Sequence, residues 1–311
     1  MMNKQEKENL KKEYLNLLNN DKLLKLKAAA LRKEFFGNKT ALCVIINAKS
    51  GLCSENCRYC AQSSHYTTGV DSYPMVSAND IFSYASKYST APIGNLGIVT
   101  SGPSLSENEL DIICEAIEMV SKNCAIDVCA SLGNLSANNL EKLKKAGLKR
   151  YHHNLETSER FFPEICTTHT WDERVETVLR AKELNLEVCS GGLFGLGETW
   201  EDRIDLAITL KELKVDCIPI NFLNAIDGTP LASQPKLQPS EALSIISLYR
   251  YILPEISLRV CGGRSTVLGQ NQYDIFEAGA NAMMTGDYLT TFGTSPEMDI
   301  CAIKHRGLEL S

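Results

Sequence analysis

Segments with strand-like and helix-like patterns alternate along most of this 311-residue chain. The β-rich runs that predict strands lie at 41–48, 95–100, 125–131, 148–154, 186–192, 215–222, 256–262 and 281–285. The amphipathic segments that predict helices between them lie at 78–88, 106–122, 136–145, 171–184, 200–213, 239–253 and 271–278. Eight strands with intervening helices over about 250 residues favour an α/β fold, a complete (β/α)8 barrel of the TIM type. An open doubly wound sheet is the alternative.

The domain organisation follows from where this alternation begins. Residues 3–35 are rich in Lys, Glu and Leu with helical periodicity, so we predict that 1–38 form a helical extension outside the barrel. Residues 39–311 contain no low-complexity tract and no clear linker, which predicts one barrel domain. Their longest irregular stretch, 49–77, follows the first predicted strand. In a TIM barrel this loop opens on the C-terminal face, where active sites form.

The composition argues against several functions. A formal net charge of −6 disfavours non-specific nucleic-acid binding. No apolar run approaches the length of a membrane span, and the charged N-terminal segment lacks the apolar core of a secretory signal. Twelve cysteines without such a signal indicate the reducing cytoplasm and metal ligation instead of disulfides. We therefore expect a cytoplasmic protein with neither a nucleic-acid nor a membrane partner.

Three cysteines lie close together in the irregular stretch, with C-x3-C-x2-C spacing. They are Cys53, Cys57 and Cys60, and Tyr59 precedes the last of them. Three thiolates on one short loop can hold three irons of a cubane iron–sulfur cluster. No fourth cysteine is nearby, so one iron would keep an open position for a substrate or cofactor. A structural zinc knuckle or three unrelated core cysteines are the alternatives, but zinc loops usually have C-x2-C pairs and four ligands.

A second set of cysteines falls near the middle or C-terminal part of four different predicted strands. These are Cys129, Cys189, Cys217 and Cys261. Cys217 shares strand parity with Asn221, and Cys261 shares it with Arg259, which predicts a polar barrel interior. One buried cysteine is usually an apolar filler, but four at similar depth indicate a shared metal cluster. The others, interpreted as filler or surface thiols, are Cys43, Cys114, Cys124, Cys166 and Cys301.

From about residue 40 to 300 the chain resembles the biotin synthase family of radical S-adenosylmethionine enzymes. The C-x3-C-x2-C loop is the signature of that superfamily. The other similar stretches are D-V-C-A-S-L-G-N-L-S, Y-H-H-N-L-E-T-S, E-V-C-S-G-G-L-F-G-L-G-E-T, I-P-I-N-F-L, G-T-P-L and L-R-V-C-G-G-R. The resemblance implies a sulfurtransferase that converts dethiobiotin to biotin with sulfur from an auxiliary iron–sulfur cluster. Rival interpretations are a hydrogenase cofactor maturase or an amino-acid mutase with a similar barrel, and, from another class, an electron carrier or a zinc-stabilised binding protein.

The resemblance also implies a cofactor site and a substrate site. The three loop cysteines would hold the [4Fe-4S] cluster that cleaves S-adenosylmethionine. The residues implied around that cofactor are Tyr59 by the adenine, Asn154 and Glu156 by the ribose, Arg174 by the carboxylate, and Gly192 in a glycine-rich run. The residues implied around the ureido ring of dethiobiotin are His152, Asn154 and Asn221. The family usually has Asn at the position of His152. Further implied partners are a flavodoxin- or ferredoxin-type electron donor and a second copy of the chain in a homodimer.

The sulfur-donor site departs from the family pattern. The family usually holds a [2Fe-2S] cluster with three cysteines and one arginine, and Cys129, Cys189 and Arg259 match three of these ligands. Gly97 replaces the third cysteine, whereas Cys217 and Cys261 are thiols that the family lacks. We therefore expect a site of four cysteines, which favours a four-iron auxiliary cluster. The alternative is a [2Fe-2S] cluster on the three matching ligands and one new cysteine.

Overall fold

A computed structural model describes residues 2–311 and contains, within them, ten α-helices and ten β-strands. The strands are β1 (Lys39–Lys49), β2 (Asn95–Thr100), β3 (Asp127–Ser131), β4 (Arg150–His152), β5 (Glu187–Cys189), β6 (Gly192–Phe194), β7 (Cys217–Phe222), β8 (Ser257–Val260), β9 (Ala282–Met284) and β10 (Glu309–Leu310). The helices are α1 (Lys4–Leu18), α2 (Asp21–Phe36), α3 (Ala78–Ser86), α4 (Glu107–Asn123), α5 (Ala137–Ala146), α6 (Trp171–Glu183), α7 (Trp200–Glu212), α8 (Pro239–Ile252), α9 (Arg264–Leu268) and α10 (Pro296–His305). None of the helices in this range is long and apolar enough to cross a bilayer.

The strands form a closed parallel barrel. Each strand from β1 to β9 pairs in parallel with its neighbours, and β1 pairs with both β2 and β9. β5 and β6 together occupy one strand position of the barrel, because β5 pairs with β4 and both pair with β7. Each such strand position is called a stave below. The barrel therefore has eight staves, and the predicted (β/α)8 fold is confirmed. An open doubly wound sheet would leave β1 and β9 unpaired with each other.

The helices cover the barrel with apolar faces, as their sequence periodicity predicts. In α4 the side chains of Leu110, Ile113 and Ile117 are buried, at a spacing that places them on one face of the helix. The Ser106 side chain caps this helix by accepting a hydrogen bond from the backbone N–H of Glu109. The carboxylate of Glu109 in turn accepts from the backbone N–H of Ser106. Burial of such faces against the strands holds the helices in place and leaves the carboxyl ends of the strands free for a site.

Several elements differ from the sequence prediction. The predicted strand 186–192 is interrupted, because Gly191 lies so close to β7 that a Cβ there would be 2.0 Å from the carbonyl oxygen of Pro219. The predicted helix 271–278 is a run of turns that buries the adjacent residues Ile275 and Phe276. Helices α9 and α10 and strand β10 are absent from the sequence prediction.

The first two helices precede β1 and pack on the outer side of the barrel. Lys7 and Lys11 of α1 form ion pairs with α7, and Ser244 of α8 hydrogen-bonds Asp21 of α2. These contacts place the helices of the predicted extension 1–38 against α7 and α8. Whether 1–38 and 39–311 are separate domains stays a prediction.

Candidate functional site

A cavity of about 350 Å³ lies within the barrel and opens toward the loops that follow the strands. Strand residues from several staves line it, Cys129 and Cys189 among them. Tyr59, from the loop after β1, and Thr290, from the loop after β9, also line it. The cavity therefore reaches the C-terminal face, where barrel enzymes bind their substrates.

The loop that carries the three clustered cysteines, residues 50–68, is called the cysteine loop below. Its ends are held together because Cys53 N donates to Gln62 O at 3.0 Å and Ser64 N donates to Cys53 O at 2.8 Å. Cys57 is buried, and Cys53 and Cys60 are half-buried. Burial raises the pKa of Cys60 to about 11. A hydrogen bond to Cys166, and then burial, raise the pKa of Cys57. A metal must therefore displace thiol protons when it binds here.

The spacing of the three thiols distinguishes a cluster from a single ion. Within residues 2–311, one group of three potential ligands has all its ligand atoms within 4.8 Å of one another, and its members are Cys57, Cys166 and His169. The three thiols of the cysteine loop do not form such a group. One tetrahedral ion needs all its ligands close together, whereas a cubane spreads its ligands over separate irons. The cysteine loop thus fits a cubane cluster better than a zinc ion.

Arg174, on α6, connects several of the residues predicted to contact the cofactor. Its Nη1 donates to the carbonyl oxygen of Asn154 at 2.8 Å and lies 3.7 Å from Glu156 Oε1. Burial raises the pKa of Glu156, while the charge of Arg174 and a hydrogen bond with Tyr59 oppose this rise. The structure therefore brings Arg174, Asn154, Glu156 and Tyr59 together beside the cysteine loop.

Gly192 lies beside Glu156, and protein atoms alone account for its missing side chain. A Cβ at this position would be 2.8 Å from the carbonyl oxygen of Glu156 and 2.6 Å from Leu206 Cδ2. The backbone N–H of Leu193 donates to the same carbonyl oxygen at 2.9 Å. Glycine here lets β6 approach the segment after β4 closely, and its contact with the cofactor stays a prediction.

The predicted substrate-binding residues His152, Asn154 and Asn221 all line the cavity. Asn221 Nδ2 donates to the carbonyl oxygen of Gly192 at 3.2 Å, and its Oδ1 accepts from the N–H of Gly262 at 3.0 Å. Burial, followed by the charges of two nearby arginines, lowers the pKa of His152 to about 4. His152 is therefore neutral near pH 7 and offers one donor and one acceptor.

Five cysteines, one more than the sequence interpretation grouped, lie buried in the barrel interior. They are Cys43, Cys129, Cys189, Cys217 and Cys261. A hydrogen bond between the thiols of Cys189 and Cys217 raises the pKa of Cys189 and lowers that of Cys217 to about 5. The thiols of Cys43 and Cys261 donate to the carbonyl oxygens of Met283 and Arg259. Their mutual approach raises the pKa of Cys261 and lowers that of Cys43 to about 7.

Arg259 lies among these thiols and is itself buried. The charges of the surrounding cysteines raise its pKa against the effect of burial. Its buried Nε has no hydrogen-bond partner among the described residues. A buried donor without a partner is costly, so this nitrogen fits a site that receives a further acceptor, such as a cluster sulfide.

Cys43 was interpreted as a filler or surface thiol, and its place beside Cys261 was missed. Its position within the first predicted strand was the available signal, because parity would have placed it on the same face as Ile45. Gly97 lies in register between Ile45 and Cys129. A Cβ at Gly97 would approach Ile45 Cγ2 to 3.0 Å, so Ile45 takes up the space that a side chain at this position would need.

Comparison with known proteins identifies the family. The family model of the Radical SAM superfamily matches residues 49–210, and that of the Biotin and Thiamin Synthesis associated domain matches residues 219–309. A biotin synthase of Desulfovibrio desulfuricans is 48% identical over 91% of this chain and 90% of its own length. The chain belongs to the biotin synthase family. A biotin synthase of Clostridium botulinum is 43% identical over 97% of this chain and 95% of its own length.

Solved structures show the same fold at low sequence identity. A methylornithine synthase has a TM-score of 0.82 at 18% identity, over 94% of this chain and 90% of its own. HydG, a maturase of the [FeFe]-hydrogenase, has a TM-score of 0.78 at 16% identity, over 92% of this chain and 68% of its own. A hydrogenase maturase, one of the rival functions predicted from the sequence, thus shares the barrel, whereas the biotin synthases also share nearly half the residues.

Proposed function

We propose that this chain is a sulfurtransferase that converts dethiobiotin to biotin in a radical S-adenosylmethionine-dependent reaction. The observation that supports this most is one cavity lined both by Tyr59 and Glu156, beside the cysteine loop, and by the interior thiols Cys129 and Cys189. A substrate bound there would lie between a place for hydrogen abstraction and a place for sulfur transfer. Holding one molecule against both is the main contribution that the protein can make to such chemistry.

The three cysteines of the cysteine loop would hold a [4Fe-4S] cluster. When bound with S-adenosylmethionine, that cluster supplies the electron for reductive cleavage and so for radical attack on an unactivated carbon. Arg174 would pair its guanidinium with the carboxylate of the cofactor. Asn154 and Glu156 would bind its ribose hydroxyls, while Tyr59 lies by the adenine and Gly192 offers its backbone. The side chains of Glu156 and Arg174 are each only 13% exposed, which limits access of water to this end of the cavity.

His152, Asn154 and Asn221 would bind the ureido ring of dethiobiotin, which carries both N–H donors and a carbonyl acceptor. The contacts of Asn221 with Gly192 and Gly262 hold its amide in one orientation. Neutral His152 can replace the amide usual in the family, because it also provides one donor and one acceptor. This part of the site thus positions the substrate without contributing charge.

The sulfur donor would be an auxiliary cluster in the barrel interior. We favour four irons held by Cys129, Cys189, Cys217 and Cys261, with Arg259 donating to the cluster from the same wall. The alternative is a [2Fe-2S] cluster on Cys129, Cys189, Arg259 and one of the two new cysteines. Either cluster would supply the sulfur atom, and the proposal rests on the burial and mutual contacts of these side chains.

The reaction is tested with the full chain reconstituted anaerobically with iron and sulfide. Incubation with dethiobiotin, S-adenosylmethionine and a reduced flavodoxin is expected to form biotin, methionine and 5′-deoxyadenosine. The absence of biotin, with cleavage of the cofactor intact, would contradict the proposed substrate. Replacing flavodoxin by a ferredoxin tests the second class of electron donor. Light scattering of the same preparation tests the proposed homodimer.

The ligands of the auxiliary cluster are tested by iron analysis and by single substitutions. Two four-iron clusters give about eight irons per chain, and the alternative gives about six. Cys217→Ala and Cys261→Ala should each lose the auxiliary cluster and biotin formation but still cleave S-adenosylmethionine. Cys114→Ala, on α4 outside the barrel interior, is the matched control and should keep both activities. Normal biotin formation by both test variants would refute the four-cysteine site.

A further inference from the structure

Cys166 directly contacts one cysteine of the cysteine loop, although the two are 109 positions apart. The Sγ atoms of Cys57 and Cys166 are 3.7 Å apart, within the range of a sulfur hydrogen bond, and both side chains are buried. Cys166 lies in the connection between β4 and α6. A thiol at this place has no part in the function proposed above.

Backbone and side-chain hydrogen bonds hold the two segments together on both sides of this contact. Arg58 N donates to the carbonyl oxygen of Ile165 at 2.9 Å. Asn56 Oδ1 accepts from Thr167 N at 2.9 Å, and Asn56 N donates to Thr168 Oγ1 at 3.1 Å. The distance between the two sulfur atoms is therefore set by the fold on either side and does not depend on one flexible side chain.

His169 also lies near Cys166, but its hydrogen bonds argue against a single metal ion at this place. Arg174 Nε donates to His169 Nε2 at 3.0 Å, so Nε2 is the acceptor and Nδ1 carries the proton. That proton faces Glu55 Oε2 and Cys166 Sγ, which is 3.3 Å away. An imidazole that is a donor on this side cannot ligate a metal there. The group is thus a hydrogen-bond network beside Cys57.

Ligation of iron by Cys57 reverses the direction of its bond to Cys166. In the metal-free chain the Cys57 thiol donates to Cys166. An iron ligand must be a thiolate, which can only accept a hydrogen bond, so the proton on this contact must then belong to Cys166. The S–H of Cys166 also lies within hydrogen-bond distance of Asn56 Oδ1, at 3.5 Å, but this neutral amide oxygen already accepts from Thr167 N at 2.9 Å. The negative thiolate is therefore the stronger acceptor for the Cys166 S–H.

We propose that Cys166 donates an S–H···S hydrogen bond to the cluster ligand Cys57 and thereby raises the reduction potential of the [4Fe-4S] cluster. Reduction adds negative charge to the cluster and its thiolates, and a donor directed at one thiolate stabilises the reduced state more than the oxidised one. Cys166 is thus a positioning residue that acts through Cys57. The proposal rests on the assignment of Cys57 as a ligand and does not depend on the substrate.

The experiment measures the potential of this cluster in the anaerobically reconstituted full chain. Cys166→Val removes the donor and keeps most of the bulk, whereas Cys166→Ser keeps a donor. Cys114→Val is the matched control away from the cysteine loop. The cluster is titrated by electron paramagnetic resonance, using the signal that changes when S-adenosylmethionine is added. We expect a lower midpoint potential for Cys166→Val, and values near wild type for Cys166→Ser and the control.

An unchanged potential in Cys166→Val with full iron content, or an equal shift in Cys166→Ser, would overturn the proposal. Should valine prevent cluster loading, Cys166→Ala takes its place and the same two results decide. The titration needs no dethiobiotin, so a failure of the proposed substrate leaves it intact. Conversely, Cys57→Ala that still forms 5′-deoxyadenosine at the wild-type rate would refute the ligand assignment itself.

Discussion

The contact of Arg174 with the cofactor can be tested quantitatively. Arg174→Ala removes a guanidinium that lies beside both Asn154 and Glu156. Loss of a charged hydrogen bond to the carboxylate of S-adenosylmethionine should cost about 1.5–3 kcal/mol. This corresponds to a Kd increased roughly 10- to 150-fold. The assay is equilibrium dialysis of the cofactor against anaerobically reconstituted protein of matched iron content.

The same substitution also changes Glu156. Burial raises the pKa of Glu156, and the charge of Arg174 opposes this rise. Removal of the Arg174 charge should therefore raise the pKa of Glu156 further. The carboxylate of the variant then takes up a proton at a higher pH, and binding should weaken more steeply as the pH falls. Arg180→Ala is the control, because Arg180 lies on the same helix, is 37% exposed and pairs with Glu176. An unchanged Kd in Arg174→Ala would remove this residue from the cofactor site.

Three further predictions concern the cysteine loop, a buried ion pair and the half-buried His152. Alanine at any of the three loop cysteines should abolish 5′-deoxyadenosine formation without changing the circular dichroism spectrum, because the loop lies outside the strands and helices of the barrel; a wild-type rate would contradict this. In the wild-type chain the buried guanidinium of Arg264 lies 2.9 Å from the carboxylate of Asp299. Asp299→Ala leaves this guanidinium buried without its counter-charge. Denaturant titration should show a free energy of unfolding lower by about 3–5 kcal/mol, against about 0.5 kcal/mol or less for exposed Asp111→Ala; similar losses would refute the argument. Because the pKa of His152 is lowered from 6.5 to about 4, the unfolded chain binds a proton in this range that the folded chain does not. The free energy of unfolding should therefore fall as the pH is lowered from about 6.5 to about 4. In His152→Asn this decrease should be smaller. A decrease equal to that of the wild type would disprove the role given to His152.

The barrel itself was predictable because its signals are local. Strand runs such as 95–100 and helix segments such as 106–122 follow from hydrophobic periodicity and agree with β2 and α4 within a residue or two. The interruption between β5 and β6 was not predictable, because it arises where Gly191 meets the carbonyl of Pro219 on another stave. Local sequence carries no information about that approach.

The sequence by itself was enough to predict a cubane cluster on the cysteine loop, since the spacing of its three thiols is a property of one short segment. Parity along a strand could also indicate which cysteines face inward, and it was applied to Cys217 and Cys261 but not to Cys43. Only the tertiary structure decided which thiols meet. Cys43 joins Cys261 and Cys166 joins Cys57 because closure of the barrel brings distant segments to one place. Such contacts depend on the register of the whole sheet, which no single segment encodes.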